Sequence, residues 1–109
     1  MSRSSHQINL RSLSEMDAIE RASSYLQQND FQANQTEEGI IWRRKKLFKS
    51  PIYIKLESNG DTITIQGWFS WSMFPGLEVG ENDGQGIFRY GEGKVIADYT
   101  GALVLLISI

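Results

Sequence analysis

Residues 52–68 read Ile-Tyr-Ile-Lys-Leu-Glu-Ser-Asn-Gly-Asp-Thr-Ile-Thr-Ile-Gln-Gly-Trp. Two runs of strict alternation meet at Asn59-Gly60, the dipeptide best suited to a two-residue type I′ turn, because both turn residues need positive φ. Counting back from that turn pairs Ser58 with Asp61, Leu56 with Ile63, Ile54 with Ile65 and Ile52 with Gly67. One face then carries Ile52, Ile54, Leu56, Ile63 and Ile65, and must be core. The other carries Tyr53, Lys55, Glu57, Thr62, Thr64, Gln66 and Trp68. This is the pattern of an antiparallel sheet packed on one side. A slip of one residue would expose all five aliphatic side chains, each worth about 1.5–3 kcal/mol when buried, so the facing is strongly specified.

The rest of the chain supplies elements to cover that face. Residues 1–11 are polar and show no period, and read as a disordered tail; residues 12–109 read as a single domain. A helix starts at Ser12 or Ser14, either of which can accept a hydrogen bond from the first free backbone N–H groups. Glu15, Asp17 and Glu20 suit the positive end of its dipole. Met16, Ile19, Ala22 and Leu26, with Tyr25 beside them, form its apolar stripe, and the helix stops near Gln28–Asp30. Phe31–Ala33 reads as a short extended segment, Asn34–Gly39 as a polar turn and Ile40–Phe48 as a strand. Aromatic residues crowd Trp68–Phe74 before Pro75-Gly76 breaks the chain. Leu77–Gln85 reads as a glycine-rich acidic loop and Gly86–Tyr90 as a short strand ended by Gly91 and Gly93. From Lys94 the apolar residues fit a helical stripe but run nearly all round; length favours a helix and leaves a strand open. The expected fold is α+β in two layers: an antiparallel sheet of three to five strands with an N-terminal and a C-terminal helix.

Composition excludes several chemistries. The 109 residues include no cysteine, so disulfides, thiolate metal sites and cysteine nucleophiles are absent. His6 is the one histidine. A catalytic or metal-binding histidine needs supporting hydrogen bonds, which a tail does not provide. Glu78, Glu81 and Asp83 lack the spacing of a calcium loop. Gly84-Gln85-Gly86 lacks the third glycine of a dinucleotide fingerprint. A net charge of −2 singles out no partner. The polar N-terminus lacks the apolar core of a secretory signal, and Val95–Ile109 is shorter than the ~20 residues a spanning helix needs. The expected location is cytoplasmic.

Trp42-Arg43-Arg44, Pro51-Ile52-Tyr53-Ile54-Lys55, Gly67-Trp68, Pro75-Gly76, Glu81 and Gly86 follow one another in this order. The order resembles a family of small bacterial proteins of unknown function. In that family a Trp and basic residues precede a Pro-x-Tyr-Ile-Lys strand, a Gly-Trp strand, a Pro-Gly turn and a C-terminal helix. The resemblance covers roughly residues 36–100. It implies the same helix–sheet–helix order and carries no activity, ligand or cofactor with it. The family's Gly-Phe-x-Gly segment reads Gly86-Ile87-Phe88-Arg89 here.

Two groups are candidates for binding. Arg43, Arg44, Lys45, Lys46, Lys49 and Lys55 are six of the eleven basic residues. They form either a patch for nucleic acid or another anionic phosphate, or a solvated strand edge whose charges block aggregation. Strand alternation puts Arg43 and Lys45 on one face and Arg44 and Lys46 on the other, which divides the patch. Tyr53, Trp68 and Trp71 form either a stacking platform beside those residues or ordinary packing. No catalytic, cofactor-binding or metal-ligating set emerges, and the expectation is a non-enzymatic binding domain acting through its sheet edge or its aromatic loop. Its partner would be a second copy or another protein. The alternatives are a nucleic-acid or phosphate binder through Arg43–Lys49 and a membrane-surface contact through the apolar Val95–Ile109.

Overall fold

A computed structural model describes residues 3–10, 13–46, 50–71, 79–82 and 90–108. The chain order is β1 (Ser4–Asn9), α1 (Glu15–Gln28), β2 (Gln32–Thr36), β3 (Gly39–Arg44), β4 (Ile52–Asn59), β5 (Thr62–Trp71), β6 (Val79–Asn82) and α2 (Tyr90–Ser108). Five strands lie antiparallel in the order β1-β5-β4-β3-β2, and β6 adds a short pairing to β5. β1 is paired with β5 as far as Gly67, and β6 is paired with it at Phe69 and Trp71, across a register irregularity. The two helices pack together and against the aliphatic face of the sheet. This is the α+β, two-layer arrangement that the alternation implied.

The hairpin β4–β5 buries the expected face: Ile52, Ile54, Ile63, Ile65 and Phe69 are buried, with Leu56 partly so. Its register differs from the expected one by two residues. Asn59 pairs with Thr62, Leu56 with Ile65, Ile54 with Gly67 and Ile52 with Phe69. The turn residues are Gly60 and Asp61, and Gly60 alone has positive φ, 68°. Glycine in the first central position is the signature of a type II′ turn, so the glycine governs the bend rather than the Asn-Gly pair. A shift of two keeps every side chain on its face, which is why the core was placed correctly and the partners were not.

The N-terminal residues are not a tail. Ser4–Asn9 form β1, in register with β5 from Ser4 opposite Gly67 to Asn9 opposite Thr62. Ile8 is the one apolar residue of β1 and it is buried. The strand therefore forms by completing the open edge of β5, and its own sequence carries almost no alternation. His6 sits within it, exposed.

Ser14 caps α1, accepting a hydrogen bond from the Asp17 N–H at 3.1 Å. Ala18, Ala22 and Leu26 form its buried line, with Ile19 and Tyr25 flanking. Met16, expected in the stripe, is 83% exposed. At 100° per residue it lies about 160° round the helix from Ala18. Asn29 and Asp30 end the helix, their N–H groups donating to the Leu26 and Gln27 carbonyls, and Asp30 takes φ 69°.

Three loop readings are also corrected. Asn34–Thr36 belong to β2, leaving Glu37-Glu38 as the turn. Residues 79–82 of the acidic loop form β6. Gly91 and Gly93 lie within α2, which begins at Tyr90. The strand expected over Ile40–Phe48 ends at Arg44, and residues 47–49 and 83–89 lie outside the described part. The final segment is helical. It buries Ile96, Thr100, Leu103 and Ile107 and leaves Leu105 exposed. Among the described residues no helix is long and apolar enough to cross a membrane.

Candidate functional site

The sheet has two differently built faces. On the helix side, Arg44 stands opposite Ile52 at the end of β3. Its guanidinium lies 4.8 Å from the Tyr99 ring centre and 5.5 Å from that of Phe31, and its Nη1 donates to the Tyr99 hydroxyl. Tyr99 also meets Phe31 edge-on at 5.0 Å and Tyr25 at 6.3 Å. Burial pushes the Tyr25 hydroxyl's pKa up, with Tyr99 and Asp98 adding to the shift. Arg44 thus links α2 and Phe31, in the segment between α1 and β2, to the sheet. Its Nε is buried and has no hydrogen-bond partner among the described residues.

On the other face, Tyr53 pairs with Trp68 on one side and Arg43 on the other. Tyr53 and Trp68 stack with ring centres 5.5 Å apart, and Arg3 lies over Trp68 at 3.7 Å. Trp68 is only 3% exposed. A base could not stack on it without displacing Arg3 or Tyr53. Arg3 is in turn held by both carboxylate oxygens of Glu38, at 3.0 and 3.1 Å, and donates to Gln66 Oε1 at 3.2 Å. Lys55 Nζ lies 3.6 Å from the same carboxylate. The Arg3 hydrogen bonds, helped by the nearby Lys55, hold the Glu38 carboxyl below its usual range. Glu38 lies in the β2–β3 turn, so that turn leans across the outer face toward β1.

The expected binding residues are therefore divided. Arg43, Tyr53, Lys55 and Trp68 share the outer face; Arg44 is on the helix side; Lys45 and Lys46 are exposed just beyond β3. Trp71 closes β5 opposite Val79, and Lys49 lies outside the described residues. Among the described residues no three histidine, aspartate or glutamate side chains group as metal ligands.

A surface that side-chain chemistry did not flag is the β2 edge, which among the described residues is paired on one side only. All five residues of β2 are exposed. Ala33 stands opposite Trp42 and Gln35 opposite Ile40, which places Ala33, Gln35 and Ile40 on the helix side of the sheet. All three are exposed, Ile40 by 52%, so the helix layer stops short of this hairpin. The sequence clue was the polar, uncharged run Gln-Ala-Asn-Gln-Thr, which reads more readily as a turn than as an edge strand. The chain matches no family model, and no match was found among curated proteins or solved structures.

Proposed function

We propose that the chain is a non-enzymatic interaction domain whose edge strand β2 takes up a strand from another protein chain. The observation that carries this reading is the state of that edge. β2 ends the strand order, pairs regularly with β3 on one side, and among the described residues has no strand on the other. Sheet edges in monomeric proteins are commonly blunted by charge, proline, a bulge or a covering helix. β2 carries neither charge nor proline, its register with β3 is unbroken, and its residues are exposed on both faces. Such an edge supports strand addition, in which main-chain hydrogen bonds supply the affinity. The aromatic and basic residues of the outer face serve this reading as scaffold: Arg3, Glu38 and Lys55 tether the β2–β3 turn.

The test is photo-crosslinking in cells from a photoreactive residue placed at Asn34, with Met16 on the exposed side of α1 as the control. Covalent adducts to a protein chain from position 34 and none from position 16 are expected. No adduct from position 34, or equal yields from both, overturns the reading.

A further inference from the structure

We infer that the strand docking on β2 is the β2 of a second copy of this chain, antiparallel, with a two-fold axis at Asn34. The inference rests on the reading of β2 as the interaction edge and names its occupant. In this register Gln32 faces the partner's Thr36, Ala33 faces the partner's Gln35 and Asn34 faces the partner's Asn34. No charge enters the paired span. Like charges directly opposite one another are what commonly forbid a strand from pairing with itself, and here there are none. The amides of Gln32 and Asn34 and the Thr36 hydroxyl each donate and accept, so they suit copies of themselves.

The charges nearest the span fit as well. Glu37, next to Thr36, would come opposite the partner's uncharged Phe31, and Glu38 opposite the partner's Asp30, both beyond the paired residues. The Glu38 carboxylate is already taken by Arg3 and Lys55. Two acidic groups therefore do not meet unscreened at either end.

The opposite edge, β1, is a poorer surface for a copy. Ile8 of β1 is buried and α2 packs against that strand, so a helix borders the edge. A β1–β2 contact would also be head-to-tail and would build an open chain of molecules, whereas β2–β2 closes after two. A pair of five-residue strands is a small interface, so the dimer should be concentration-dependent.

The absence of cysteine allows a direct test. Asn34→Cys should give a disulfide-linked dimer under mild oxidation, and Gln7→Cys on β1 should stay monomeric. In sedimentation, the unmodified chain should rise from monomer toward dimer mass with concentration. Ala33→Lys with Gln35→Lys should lose that rise while keeping its circular dichroism. A monomer at every concentration, or equal crosslinking from Gln7→Cys, overturns the inference. If the purified chain stays monomeric while Asn34 crosslinks to a different protein in cells, the occupant is wrong and the edge reading stands. If no adduct forms in cells either, both fall.

Discussion

Tyr53 and Trp68 face each other across β4 and β5 with their rings 5.5 Å apart and 11° from parallel. They form the centre of a second, smaller apolar layer on the face that the helices leave uncovered. Ile41, 7% exposed, is buried on the same face, opposite Lys55.

Trp68→Ala should lower unfolding free energy by about 3–5 kcal/mol, the usual cost of deleting a buried large aromatic. Tyr53→Ala should cost less, because Tyr53 is only half-buried. A double-mutant cycle by denaturant unfolding should give a coupling of about 1 kcal/mol between them. Additive single effects would mean that the stack contributes only through burial.

Gly67 of β5 lies where α2 packs against the sheet. A Cβ there would stand 2.7 Å from Ile96 Cγ2 and 3.1 Å from Thr100 Cγ2. Both atoms are branches at Cβ on a helix, where χ1 is restricted, so they do not swing aside freely. Gly67→Ala should therefore destabilise by about 1–3 kcal/mol. Adding Ile96→Ala should cost less in that background than in the unmodified chain, read as a non-additive cycle in thermal unfolding.

Glu38 makes stability depend on acid. Its carboxyl is held below its usual range, first by the hydrogen bonds from Arg3 and then by the nearby positive charges. A group whose folded pKa is depressed contributes stability that is present above its unfolded pKa and lost as pH falls through the folded one. Stability measured by denaturant should therefore fall as pH drops below the ordinary carboxylate range, and fall less steeply in Glu38→Gln. Added salt should shrink the difference between the two, because Glu38 is well exposed.

Asp30 turns the chain from α1 into β2 with φ 69°. Aspartate tolerates this region better than β-branched residues do. Asp30→Val should destabilise by about 1–2 kcal/mol and Asp30→Gly should be tolerated. Comparison of their melting temperatures checks this.

The hairpin core was legible from alternation alone, since facing depends on parity and survives a two-residue error in register. Its partners were not, because Gly60 rather than Asn59-Gly60 supplies the bend. The division of Arg43 from Arg44 also followed from parity, yet the destination of Arg44 depends on Phe31 and Tyr99, brought there by two other elements. Met16 shows the limit of reading three- and four-residue steps from a helix end: the spacing fits, but the buried line runs through Ala18. β1 was invisible because a strand that completes another strand's edge needs little pattern of its own. Missing β1 also hid Arg3, and with it the lid on Trp68.

The most direct test of β2 pairing with its own copy is amide hydrogen exchange, followed in dilute and in concentrated protein. The amides of Gln32–Thr36 should slow as concentration rises, while those of Ser4–Asn9 keep their rates. Unchanged exchange in β2, or slowing confined to β1 or α2, would contradict it.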